Sequence, residues 1–245
     1  MHKSKSKPKP KESKPKEPIP KPKESKPKES KPKESKPKES KPKESKPKES
    51  ENPPTTATDE YINEISHRIL LNEYKKNMRK FIMTSRFTNS TWNENVDYRQ
   101  SQPKSQSINC IYCSPVLIGK HIPIDSIMFV LEMNNDQNKI MGIGMVKNHC
   151  IVGKYKVYDN GNYNRYIYVG KYRIDRENMS KEEDQIMQAF DIMCFKGNKH
   201  MKRGQGLQSF PIETLYKCSM VLDLVDFISK MFKKRMEPPI PQEPK

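Results

Sequence analysis

The sequence predicts an α+β domain, a small, mostly antiparallel β-sheet or barrel flanked by helices, behind a disordered basic tail. Three observations carry this. Residues 1–50 contain almost only Lys, Pro, Glu and Ser, whereas apolar side chains recur from about Thr58 onward. Helical spacing marks both ends of that body, and β-branched or alternating runs fill its middle. Helix, then strands, then helices is an α+β order. The chain of 245 residues therefore divides into a tail over 1–57, a single domain over 58–236 and a Pro-rich disordered end over 237–245. A body of roughly 180 residues is long enough for one proper core.

Residues 22–50 repeat "PKESK" with a period of five. Proline in every unit blocks helix, and nothing in the unit can build a core. The tail is expected to be an extended coil biased to polyproline II. It suits a basic arm on nucleic acid or a spacer, and the Glu in every unit weakens the arm.

"TATDEYINEISHRILLNEYKKNMRKFIM" reads as a first helix, capped by Thr58 or Asp59, with Ile62, Ile65, Ile69, Met78 and Phe81 as its stripe. "TSRFTNSTWNENVDYRQSQPKSQS" is polar and reads as a loop bearing the single Trp, Trp92. "CIYCSPVLIGKHIP" opens the β region, and "SIMFVLEM" is apolar enough for a strand buried on both faces. In "IMGIGMV", Met141, Ile143 and Met145 share one face, and Gly142 and Gly144 the other. Paired glycines let a backbone or a flat ligand come close. "GKYKVYDNGNYNRYIYVGKYRI" is expected to be a hairpin turning at Asn160-Gly161. "SKEEDQIMQAFDIMCFKG" begins with Ser180 and Glu183 in capping-box spacing and stops at Gly197, with Ile186, Phe190, Met193 and Cys194 as its stripe. A last helix, about 219–235, buries Leu222, Val225, Ile228 and Phe232.

The formal net charge is +17. Residues 1–50 hold 19 Lys against 8 Glu, a net +11, and the remainder holds +6. Such an excess attracts nucleic acid or an anionic surface, and it also keeps a protein soluble. The longest apolar run, Ile127 to Leu131, is far short of the roughly 18 residues a membrane span needs, so no membrane partner is expected. "MHKSKSKPKP" lacks an apolar export segment, and five cysteines, an odd number, fit reduced thiols.

"FKGNKHMKRGQG" places Lys196, Lys199, Lys202 and Arg203 among three glycines. It lacks Walker A spacing, but its cations and backbone N–H groups suit phosphates; a solvated connection would suit it equally. Tyr166, Tyr168 and Tyr172 share a face by period-two counting, interleaved with Arg165, Lys171 and Arg173. Such a pattern stacks unpaired bases, or simply packs as favoured strand residues. Cys110 and Cys113 have zinc-ligand spacing without a second pair, so no metal or cofactor is expected. His149 and Cys150 adjoin, Asp125 and Glu132 lack an evident partner, and no catalytic motif appears. The expectation is a non-enzymatic binder of DNA or RNA. The alternative is a virion structural or protein-interaction protein with the tail as spacer.

With "IMGIGMV" after "IMFVLEM" in a basic, aromatic β region, the middle of the chain resembles the PUA-like barrels, the EVE and ASCH domains among them. The resemblance implies a small β-barrel that binds RNA or modified bases, often in an aromatic pocket. Trp92 would stand for the pocket aromatic, although its flanks depart from the family's. The body, with "IPIDSIMFVLEMNN" and "FKGNKHMKRGQG", also resembles uncharacterised proteins of nucleocytoplasmic large DNA viruses, the mimivirus group especially. That implies a virion or a viral factory in the host cytoplasm, other virion proteins as partners, and no particular activity.

Overall fold

The computed structural model describes residues 57–237, all within the unit Pro54–Lys245. The expectations for the tail and for the Pro-rich end fall outside these residues, apart from Ala57, which begins α1, and Glu237. In chain order the elements are α1 (Ala57–Asn77), β1 (Lys80–Phe87), α2 (Asn89–Ser101), β2 (Cys110–Ser114), β3 (Ile127–Asn134), β4 (Lys139–Lys147) and β5 (Ile151–Val152). There follow β6 (Tyr166–Gly170), β7 (Tyr172–Asp175), α3 (Lys181–Phe195), β8 (Leu207–Ser209), α4 (Ile212–Ser219) and α5 (Leu224–Met236). One sheet has the order β7-β4-β3-β1-β8 and a second the order β2-β6-β5. β1 and β3 run parallel; every other pairing is antiparallel. The fold is thus α+β as the pattern predicts. Among the described residues neither sheet closes into a barrel, so the open-sheet form of the expectation holds.

The strand "IMFVLEMN" explains the layering. Phe129, Leu131 and Met133 project into a core shared with Met187 and Phe190 of α3 and with Ile228 and Phe232 of α5. Met128 and Val130 project the other way, against Ile111 and Tyr168 of the three-stranded sheet. The five-stranded sheet is therefore sandwiched between helices and the second sheet. Each such side chain removed from water contributes about 1.5–3 kcal/mol. A register shift between Leu131 and Met133 sets two residues of β4 opposite Glu132.

Several elements depart from the sequence reading. The first helix stops at Asn77, and "KFIMTSRF" is a strand between β3 and β8. Phe81, expected on a helical stripe, is buried in that strand. Helix α1 starts at Ala57, ahead of both expected caps, and Ile62 and Ile69 are exposed. The expected loop contains α2, opened by a capping box between Thr88 and Thr91. This helix is polar almost throughout. Tertiary bonds hold it: Asn95 Nδ2 donates to Ile111 O at 2.9 Å and to Tyr158 Oη at 3.1 Å. The Tyr-rich hairpin does not form. Residues 153–165 contain no strand, β6 lies in the second sheet and β7 in the first. Asn164 Oδ1 accepts from the N–H groups of Val157 and Tyr158, each at 3.0 Å, which fixes a looped course instead. Helix α3 follows its signals: the Ser180–Glu183 capping box is present, and Gly197 leaves the helix at φ +76°. The last helix, expected over about 219–235, is α5 and begins only at Leu224, capped by Asp223, so Leu222, expected to be buried, lies ahead of it and is exposed; the separate helix α4 precedes both.

Candidate functional site

The pair Gly142 and Gly144 admits side chains rather than a ligand. A Cβ at Gly144 would overlap Tyr112 Oη, and one at Gly142 would lie 2.9 Å from both Glu132 Oε2 and Arg173 Nη2. In the space left, Glu132 Oε1 accepts from Tyr112 Oη at 2.7 Å and from Arg173 Nε at 3.0 Å, and Oε2 accepts from Arg173 Nη2 at 2.7 Å. Glu132 is 1% exposed, and the Arg173 side chain 5%. Burial opposes the charge on Arg173, but the Glu132 carboxylate outweighs it and raises the guanidinium pKa. Burial first and Glu132 second raise the pKa of Tyr112 and push the Cys110 thiol up to about 12.

Arg173 is therefore an internal ion-pair partner and not, as the sequence suggested, a nucleic-acid contact. Trp92 is also engaged internally. Arg173 Cζ lies 5.7 Å and Arg99 Cζ 5.8 Å from its ring, and Phe87 meets it edge-on at 5.3 Å. Tyr168 is fully buried in the second sheet, where its Oη accepts from Ile118 N–H at 3.4 Å. Tyr166 is half-buried in that same sheet, while Tyr172 stands on β7 of the other sheet at 41% exposure. The three tyrosines share no stacking face. Cys110 and Cys113, three apart on a strand, point to opposite faces, and burial pushes Cys113 to about 12 as well.

The remaining predicted cations are at the surface. Lys196, Lys199, Arg203, Arg165 and Lys171 are exposed and Lys202 is half-buried; none of the six joins an ion pair among the described residues. The glycine-basic loop is tied down through its backbone. Met201 N–H donates to Cys194 O at 2.7 Å, and Asn135 Nδ2 donates to Lys202 O at 3.0 Å. Gly204 and Gly206 adopt φ of +113° and +63°, which side-chain-bearing residues rarely tolerate.

A cleft of about 480 Å³ opens where the chain leaves β6 and enters β7 through Lys171. Ile108, Met145 and Val169 line its apolar part, and Lys147, Lys171 and Tyr172 add two cations and an aromatic ring. His149 and Asp125, 3.3 Å apart, stand at the same cleft. The structure thus unites two predicted residues, Lys171 and Tyr172, with Lys147 and His149, which the sequence reading did not select. Lys147 ends β4 and pairs with Ile127 at the start of β3, so only the sheet register brings it to Lys171. Apolar lining, an exposed ring and two ammonium groups that join no ion pair among the described residues are suited to a flat heterocycle carrying negative charge. Compared with known proteins, the chain matches no family model, no curated protein and no solved structure.

Proposed function

We propose that this chain is a non-enzymatic nucleic-acid-binding protein that takes an unpaired base into the cleft at Tyr172. The observation carrying the reading is the convergence of Lys147, Lys171 and Tyr172 on an apolar cleft. A base stacks on the Tyr172 ring against Val169 and Met145, and the flanking phosphates meet Lys147 and Lys171. Exposed Arg165, Lys199 and Arg203, with half-buried Lys202, add sequence-independent attraction, as does the net charge of +17. Arg173, Trp92 and Tyr168 have no part in it, being engaged or buried inside the fold. In the large-DNA-virus setting that the resemblance implies, the protein would act in the viral factory or the virion. The test is fluorescence anisotropy of labelled single-stranded oligonucleotides with the full chain and with Tyr172→Ala. Loss of one stacked base weakens binding by about 1–3 kcal/mol. Unchanged affinity removes the cleft from the account.

A second reading, a structural or interaction protein, is favoured by one observation. Helix α1 exposes Tyr61, Ile62, Ile65, Ile69 and Leu70, an apolar surface suited to a protein neighbour. Light scattering of the full chain against Ile62→Glu/Ile69→Glu tests it: a fall in mass supports this reading, and equal monomer masses remove self-association from it.

A further inference from the structure

We infer that Arg86 anchors a second site, a pocket for a single phosphate group beneath the glycine-basic loop. Arg86 lies near the end of β1, a central strand. Its Nε donates to Met201 O within the loop. Its Nη1 is buried and has no hydrogen-bond partner, and no carboxylate pairs with the guanidinium among the described residues. The contrast within this protein is sharp. Arg173 and Arg176, whose side chains are almost wholly buried, each bind two carboxylates. Burial holds the Arg86 pKa below its usual value, with only the Cys194 thiol acting against that. A cation partly withdrawn from water without a counter-charge is costly to the fold, and an anion beside it relieves the cost.

The surroundings suit phosphate. Arg86 lines a pocket of about 160 Å³ together with Gly204, Gly206, Thr88, Thr91 and Asn135. A Cβ at Gly204 would stand 3.6 Å from Arg86 Cζ, so the loop backbone passes close over the guanidinium. Thr88 and Thr91 form the first turn of α2, where the helix end carries partial positive charge. Asn135 Oδ1, also buried and without a partner among the described residues, suits a hydroxyl of the ligand, either a P–OH or a sugar O–H. Arginine's planar fork matches phosphate oxygens in pairs. This volume is about that of five waters, enough for one phosphate and part of a sugar but not for a strand running through. The pocket and the Tyr172 cleft lie at opposite ends of β3: Ile127 lines the cleft, and Asn135, just past Asn134, lines the pocket. The site therefore stands or falls independently of the cleft.

The experiment uses the full chain. Thermal melting is compared in sodium phosphate and in sodium chloride at equal ionic strength, for the natural protein, Arg86→Gln and Arg86→Lys. The expected result is a higher Tm in phosphate for the natural protein, part of that gain in Arg86→Lys, and none in Arg86→Gln. Equal melting of the natural protein in both salts overturns the proposal, and this arm decides even if Arg86→Gln fails to fold. Stabilisation that persists in a folded Arg86→Gln also overturns it. Oligonucleotides with a 5′-phosphate or a 5′-hydroxyl then identify the source. Binding of the phosphorylated strand about tenfold tighter assigns a strand end. Phosphate stabilisation with equal or no oligonucleotide binding supports a site for free phosphate or a small phosphorylated molecule.

Discussion

Replacing Arg173 by Ala removes three of the four hydrogen bonds that the Glu132 carboxylate accepts, leaving only Tyr112 Oη. Glu132 is 1% exposed and water cannot take over. Breaking a buried pair on one side costs about 3–5 kcal/mol, because a charge is left buried without compensation. For a domain of this size that lowers Tm by roughly 6–20 °C. The assay is equilibrium denaturation of the natural protein, Arg173→Ala and the double variant Glu132→Gln/Arg173→Met. The double variant carries no stranded charge and recovers much of the loss, so the two sites couple strongly in a double-mutant cycle. Arg173→Lys keeps the charge without the fork and falls between. A loss below about 1 kcal/mol for Arg173→Ala would refute the internal role and return Arg173 to the surface cations.

Gly144→Ala drives a methyl group into Tyr112 Oη and destabilises by about 1–3 kcal/mol, less in the Tyr112→Phe background; denaturant midpoints measure both. Burial holds the Cys110, Cys113 and Cys194 thiols at about 12, so a thiol reagent at pH 8 reaches at most Cys150 and Cys218 in the native protein and all five after denaturation. The same raised values set an alkaline limit. The stability they hold is complete below the unfolded thiol value of about 8.5 and is lost as pH rises toward about 12, because the unfolded chain releases those protons first. Denaturation at pH 8, 9 and 10 checks the sign, and the natural protein loses more stability over that range than Cys110→Ser.

What was legible in the sequence was what local chemistry decides. The run "IMFVLEM" is a strand buried on both faces because its odd and even positions are both apolar. Helix α3 obeys its capping box because Ser180 and Glu183 satisfy each other within one turn. The face assignment of Gly142 and Gly144 was also legible, although what fills the space was not: Glu132 meets Arg173 from 41 residues away. Strand β1 was misread because Met78 and Phe81 coincide with helical spacing, while its strand state comes from β3 and β8 on either side. Helix α2 was missed because its sequence is polar and its anchor, Asn95, bonds to distant backbone. Lys171 and Tyr172 were recognisable by composition. Lys147 and His149 were not, since their place at the cleft depends on the register of β4 and on the switch of sheets after β6. Arg86 did leave a signal: one charged residue near the end of the otherwise uncharged "FIMTSRF".

The central claim is that phosphates meet Lys147 and Lys171 at the cleft. Its most direct test is anisotropy of a labelled single-stranded oligonucleotide against the full chain and Lys147→Gln/Lys171→Gln across a salt series. Removing two phosphate contacts lowers the slope of log affinity against log salt by about 1.4 for a single strand. That fall, with affinity reduced at every salt concentration, is the predicted result. Parallel salt lines of equal affinity would contradict the account and leave any binding to the other exposed cations.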